Sequence, residues 1–273
     1  MSERHVDAAY LRYQYDDAEK LRIRIATHAQ YSERTIDSFA SWLLQHVDAA
    51  QGQLLLDVGC GSGVYHPAIA RAGARIVAGD ASRGMLRTAL DQAAAGGYTI
   101  AALLVDAQAL PFRDAHFDRV MANHMLYHVP DQRAALRELP RVLKPGGRAV
   151  MATNGADNLG QFDELHRLAA ARLGYATSAH DALRFTLDDL PLVRAAFPSA
   201  EVFVRADAFV FAEAAPALRF YATYTIDAIE DRPADGSHRE PLLREMRVAI
   251  EAIIAREGVF RVSKTTGCFV AVV

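Results

Sequence analysis

Three carboxylates and an amide follow or close four apolar stretches of this chain: Asp57, Asp80, Asp106 and Asn123. Beside the first lies a loop with glycine at every second position, Gly59, Gly61 and Gly63. Glycine has no Cβ, so such a loop turns tightly and lets a ligand touch the backbone. A loop that cradles phosphate should not carry a carboxylate at its mouth, because two anions repel. A loop that meets a cation and sugar hydroxyls can carry one. These residue types therefore point to a nucleoside-type ligand with positive charge and no phosphate. Asp80 closes the run Arg75 to Gly79, 21 positions after Gly59. In a βαβ unit an acid at that distance sits at the tip of the second strand and takes the ribose hydroxyls. A hydrogen bond to a charged group there is worth about 1.5–3 kcal/mol. Asp106 closes a third run, Ile100 to Val105, where an acid can accept the exocyclic amine of adenine.

These residues need strand ends to stand on, and the chain supplies them. Residues 1–48 are helical in character. From Gln53, strands alternate with helices: strands at Gln53 to Val58, through Asp80, through Val105, at Phe117 to Ala122 and at Arg148 to Thr153. The intervening helices run from Val64 to Ala72, from Arg83 to Ala95 with Ser82 as cap, and from Asp131 to Leu143, where Pro140 should bend the helix. Gly73, Gly96-Gly97 and Lys144-Pro145-Gly146-Gly147 end them. This alternation predicts a parallel, doubly wound sheet with right-handed crossovers. Beyond residue 155 the pattern predicts helices at 157–173, 216–229 and 239–256, a capping box from Thr186 to Asp189, and strands at 201–211 and 259–272.

With those residues in place, the chain resembles the class I S-adenosylmethionine-dependent methyltransferases over about residues 50–155. The resemblance rests on Asp57 to Gly63, Asp80, Asp106-Ala107, Phe117-Asp118-Arg119-Val120 with Asn123, and Leu143 to Gly147. Leu126-Tyr127-His128-Val129-Pro130-Asp131 is similar to the small-molecule branch, that of the methyltransferase-11 type. The resemblance implies a Rossmann-like α/β fold with a doubly wound seven-stranded sheet, its last strands antiparallel. It also implies an N-terminal helical lid over 1–48, a methyltransferase domain over 49–273 and a helical cap inserted at about 214–258. S-adenosyl-L-methionine is then the expected cofactor, held by Asp57, Gly59, Cys60, Gly61, Gly63, Asp80, Ala81, Met85, Asp106, Ala107, Asn123 and Arg24.

Methyl transfer from a sulfonium is an in-line displacement with a good neutral leaving group. The protein mainly aligns and desolvates the partners, and alignment can supply about 7–11 kcal/mol. A base helps only if the acceptor must lose a proton. His124, after the fourth strand, is the candidate. His124 and His128 share a face only if that stretch is helical. His28, Tyr15, Tyr31, Tyr127 and Tyr221 are candidate walls of an acceptor pocket, with Tyr127 also placed as a cation–π partner. Arg24 and His28, four apart, share a helix face.

Composition narrows the classes. Among 273 residues, half are hydrophobic and the net charge is −3, enough apolar material for one large α/β domain. No basic tail argues for nucleic acid. Two cysteines, Cys60 and Cys268, suggest a reducing compartment. The start of the chain lacks the apolar stretch of a signal peptide, and no run reaches the roughly 20 residues that span a bilayer. The expectation is a cytoplasmic enzyme, monomer or homodimer, without metal, membrane or nucleic-acid partner, methylating oxygen or nitrogen of a small molecule. Two alternatives stay open. One is a non-catalytic S-adenosylmethionine-binding module. The other is an NAD(P)-dependent oxidoreductase, which Val64 disfavours where a dinucleotide fingerprint needs a small residue.

Overall fold

The computed structural model describes residues 18–34, 38–178 and 184–273. Its elements in chain order are α1 (Ala18–Tyr31), α2 (Phe39–Val47), β1 (Leu54–Val58), α3 (His66–Arg71), β2 (Arg75–Asp80), α4 (Arg83–Ala95), β3 (Ile100–Leu104) and β4 (Phe117–Met121). There follow α5 (Gln132–Val142), β5 (Leu143–Asn154), α6 (Gly160–Arg172), α7 (Leu190–Arg194), β6 (Glu201–Phe211), α8 (Ala214–Tyr221), α9 (Arg239–Glu257) and β7 (Phe260–Val272). The strands form one seven-stranded sheet in the order β3-β2-β1-β4-β5-β7-β6. Strands β1 to β5 pair in parallel, and β7 runs antiparallel to β5. This is the expected doubly wound arrangement with an antiparallel edge.

Contacts divide the chain into two compact units. One takes the described residues of 37–156, 184–205 and 266–273, the other those of 1–36, 157–183 and 206–265. In the first unit the strands alternate between two cores, as the two-residue side-chain period of a strand requires. Leu56, Val120, Ala149 and Met151 join Leu136 and Leu139 of α5 on one face. Leu55, Met121, Val150 and Ala152 join Leu43 of α2 and Ile69 of α3 on the other. Asp57, one step of that period beyond Leu55, shares its face.

In the second unit, Phe162, Phe209, Phe211, Tyr221 and Phe260 form an aromatic core. Buried Lys264 pairs there with Asp207 at 2.6 Å and lies 4.3 Å from the centre of the Phe209 ring. Asp227 accepts from Arg239 Nη1 at 2.6 Å and lies 2.9 Å from His238 Nε2, which ties the start of α9 to the turn Thr225–Asp227.

Several bounds differ from the sequence reading. Strand β5 begins at Leu143 rather than Arg148. Lys144 to Gly147 are taken up as an irregularity, where the register jumps from Phe117↔Leu143 to Arg119↔Arg148. Helix α3 starts at His66 rather than Val64, because the glycine loop is still turning at Gly63 (φ +78°) and Pro67 suits only a first turn. The segment expected as one helix over 216–229 is α8 followed, after a break, by a single 3₁₀ turn at Thr225–Asp227. Helix α6 starts at Gly160, after Leu159 in a left-handed conformation (φ +62°).

Candidate functional site

Asp80, Asp106 and Asn123 stand at or just beyond the carboxyl ends of β2, β3 and β4, with the glycine loop leaving β1 among them. Open α/β sheets bind ligands at that edge, where strand order reverses. Here it reverses between β1 and β4.

Asp80 is the hub. Its Oδ2 accepts from Gly61 N at 2.9 Å and its Oδ1 from Ser82 N at 2.8 Å. One carboxylate thus joins the glycine loop to the start of α4, which Ser82 caps by accepting from Met85 N at 3.3 Å. Burial raises its pKa, and the backbone bonds from Ser82 and Gly61 only partly offset that. Ala81 is carried in the same turn, between the Asp80 carboxylate and the Ser82 cap.

Gly61 has φ +54°, and a Cβ built on it would meet no atom within 4 Å. At Gly61 the loop therefore presents bare backbone to open space, whereas at Gly59 the Met125 side chain covers it. Gly63 differs. At φ +78° its Cβ would land on the ring of His66. His66, the first residue of α3, is fully buried, and its Nε2 lies 3.0 Å from Asp57 Oδ2, itself 2 % exposed. With Nε2–H given to the carboxylate, Nδ1 is left buried without a protein partner. The methionine amino group was expected to meet Asp57 or the loop backbone, and one carboxylate oxygen of Asp57 lies on this histidine. Sequence reasoning passed over His66. The available signal was an imidazole in the short apolar helix that follows a strand carrying an acid.

These two glycines should respond differently to alanine. Gly61→Ala adds left-handed strain of about 1–2 kcal/mol and a methyl group in the open space. It should leave the fold intact and weaken ligand binding about 10-fold or more. Gly63→Ala drives a methyl into His66 and should lower the melting temperature by roughly 10 °C. Melting curves and ligand titrations on the two proteins check this. Equal melting temperatures would contradict it.

Cys60 is buried, and burial together with the charges of Asp57 and Asp80 pushes its thiol pKa up, so it offers loop backbone rather than a thiolate. Asp106 is exposed and held by Gln108. Ala107 beside it is buried. Asn123 is 8 % exposed; its Oδ1 accepts from Ala152 N at 3.1 Å, while Nδ2 is buried with no protein partner.

His124 has φ +53°, unusual outside glycine, and its backbone N donates to Ala152 O at 2.8 Å. Strained backbone of this kind clusters at functional sites. Its half-buried ring packs 5.5 Å from that of Phe39, and burial lowers its pKa from 6.5 to about 4. The imidazole is neutral at physiological pH. The condition under which His124 and His128 would share a helical face is not met, because only Leu126–His128 form a 3₁₀ turn. Tyr127, half-buried, stands edge-on to His128 at 4.5 Å.

The remaining candidates lie in the other unit. On α1, Arg24 is half-buried, His28 sits edge-on to Phe209 at 4.8 Å, and Tyr31 lies 5.0 Å from Phe211. Tyr221 is fully enclosed, with its hydroxyl 2.7 Å from His166 Nδ1. This is core packing, since both its ring and its polar atom are satisfied inside. Tyr15 lies outside the described residues. Among the described residues no group of three or more His, Cys, Asp or Glu is placed to hold a metal, and no helix is long and apolar enough to cross a membrane.

The first unit fits S-adenosylmethionine on its own chemistry. The backbone at Gly61 faces open space, Asp80 and Asp106 accept hydrogen bonds and repel phosphate, and Asn123 holds an unmatched buried donor.

A methyltransferase-domain family model matches residues 56–151. The demethylmenaquinone methyltransferase of Thermobifida fusca is 44% identical over 108 residues, 38% of this chain and 45% of that protein. The malonyl-[acyl-carrier protein] O-methyltransferase of Pseudescherichia vulneris is 33% identical over 147 residues, 54% of this chain and 55% of that protein. The chain thus spans about half the length of the curated relatives it matches. The crystal structure of the [4+2]-cyclase SpnF superposes with a TM-score of 0.57 at 20% identity, covering 96% of this chain and 95% of that one, a likeness of fold. Residues 56–151 therefore form a class I S-adenosylmethionine-dependent methyltransferase domain.

Proposed function

We propose that the protein transfers a methyl group from S-adenosylmethionine to oxygen or nitrogen of a small-molecule acceptor. The reading is carried by the Asp80 carboxylate, which bridges the open glycine loop and the α4 cap at the sheet's reversal point. In it Asp80 takes the ribose hydroxyls, Asp106 the adenine amine, and the loop backbone with Asn123 the methionine end. Two relatives support the acceptor class, one named for demethylmenaquinone and the other an O-methyltransferase named for malonyl-[acyl-carrier protein].

When bound, the sulfonium supplies an electrophilic methyl with a neutral leaving group. The chain's own residues then have little covalent work. They align the acceptor, exclude water and receive its proton. Alignment alone can lower the barrier by about 7–11 kcal/mol. In this reading His124 accepts the proton of an acceptor hydroxyl or amine. A base works best near the operating pH, so an imidazole with a pKa of about 4 is a weak one. It suits an acceptor that loses its proton late, as the methyl bond forms.

Incubation with S-adenosylmethionine and panels of small molecules, nucleic acids and proteins, followed by chromatography for S-adenosylhomocysteine, tests the proposal. Turnover only with nucleic acid or protein overturns the acceptor class. Binding without turnover on any panel would make this a binding module.

The base form of His124 is needed, so its acid limb in kcat/KM should fall near its pKa of about 4 rather than 6.5. His124→Phe should remove that limb and lower kcat by roughly 10–100-fold, at the low end of general-base effects. A limb near 6.5 that survives the substitution would assign the proton to another group.

A further inference from the structure

Gln108 lies outside the glycine loop and the strand ends, yet its side chain ties two of the surrounding elements together. Asp106 Oδ1 accepts from Gln108 N at 2.9 Å and from Gln108 Nε2 at 2.9 Å, and Asp106 Oδ2 accepts from the same Nε2 at 3.1 Å. The other end of the amide is committed as well. Its Oε1 accepts from Asp131 N at 3.0 Å, and Asp131 in turn caps α5 by accepting from Ala134 N at 2.9 Å. Beyond Gln108 the loop is fastened to α5. Leu110 N donates to Glu138 Oε2 at 2.7 Å, and Arg141 donates to Leu110 O and Phe112 O.

The consequence is one of donor and acceptor sense. An amide carries its acceptor on one side and its two donors on the other. With the carbonyl oxygen taken by Asp131 N, the NH₂ group must face Asp106, and both carboxylate oxygens are met by donors. Asp106 is thereby held in place with both oxygens turned as acceptors. A carboxylate oxygen so held can take a hydrogen bond from the 6-amino group of adenine. Against a 6-oxo purine it sets acceptor to acceptor, and an unpaired polar contact of that kind discriminates strongly.

We propose that Gln108 is a positioning residue that sets purine selectivity: by holding Asp106 as an acceptor, it selects a 6-amino over a 6-oxo purine nucleoside. This rests on the reading of Asp106 as the adenine contact given under Proposed function.

The test is calorimetric titration of the full chain with S-adenosylhomocysteine and with S-inosylhomocysteine, for the unmodified protein, Gln108→Ala and Gln108→Glu. The unmodified protein should prefer the adenosyl ligand by about 10-fold or more, the scale of one hydrogen bond to a charged group. In Gln108→Ala the carboxylate is free to turn away, and the preference should shrink several-fold while affinity for the inosyl ligand holds. In Gln108→Glu the amide donor is replaced by an acceptor, so the two side chains repel and Asp106 is pushed out of position. The preference should shrink at least as far as in Gln108→Ala. The glutamate variant is isosteric and carries the test if the alanine variant does not fold. A preference unchanged in the variants overturns the proposal. So does an equal loss of both ligands in Gln108→Ala, which a purely structural role would give. If the unmodified protein binds neither ligand, the cofactor reading fails and the proposal with it. Binding of both without preference overturns the selectivity claim alone.

Discussion

Asp80→Ala should raise the dissociation constant for S-adenosylhomocysteine about 100-fold or more. Two ribose hydroxyls on one carboxylate are each worth about 1.5–3 kcal/mol, and every 1.4 kcal/mol is about tenfold in affinity. The substitution also frees Gly61 N and Ser82 N, so the loop and the α4 cap lose their common anchor. Asp80→Asn separates the two effects. An amide can accept only one of the two backbone N–H groups and turns a donor toward the other, so it should bind more weakly than the native acid and better than alanine. Asp80 sits in the folded protein with a raised pKa. For an acid this means the unfolded chain ionises first, so the ionised group works against folding once pH exceeds its unfolded pKa. The melting temperature of Asp80→Ala should accordingly fall little at neutral pH while binding collapses. Calorimetric titration alongside melting curves checks both. Retention of affinity within a few-fold would remove Asp80 from the site, and NAD binding by the native protein would replace the cofactor.

The elements that present this carboxylate were readable because each carries a local cause. Ser82 and Thr186 are capping residues whose side chains accept the backbone bonds that such residues favour at helix starts, and Asp131 does the same for α5. Strand β6 has the bounds its alternation predicted. What was not readable depends on partners distant in sequence. Lys144-Pro145-Gly146-Gly147 has breaker chemistry, yet the pairing of β4 with β5 absorbs it as a register shift. No local pattern says that a neighbouring strand will tolerate the extra residues. Asp57 was legible as an acid at a strand end, but not the direction of its side chain, which the buried imidazole of His66 fixes. Gln108 carried no signal at all, since a glutamine acquires meaning only from what stands at both ends of its amide.

Fold and function separate at the same edge of the sheet. The [4+2]-cyclase SpnF shares this architecture at a TM-score of 0.57. The arrangement of strands therefore does not fix the reaction, and activity has to be argued from the site. Here the Asp80 bridge, the bare backbone at Gly61 and a neutral His124 distinguish the site, and turnover decides between an enzyme and a binding module.

Breaking the Asp57–His66 pair should strongly destabilise the domain. Both side chains are buried, at 2 % and 0 % exposure, and they meet at 3.0 Å. His66→Leu leaves a carboxylate under the glycine loop without its partner, which costs about 3–5 kcal/mol when one member of a buried pair is removed. Asp57→Leu leaves an imidazole with neither nitrogen satisfied and should cost about 1–3 kcal/mol. The double substitution removes both polar groups. It should be less destabilising than the two single effects added, by about 2 kcal/mol, as expected for residues in direct contact. Urea unfolding of the four proteins measures this cycle. Additive losses would mean that Asp57 and His66 act separately. Asp57 would then be free to serve the ligand directly, and the titration of Asp57→Leu with S-adenosylhomocysteine should show a loss of affinity that His66→Leu does not share. A coupled result places Asp57 with the loop's foundation and leaves ligand recognition to Asp80, one strand away.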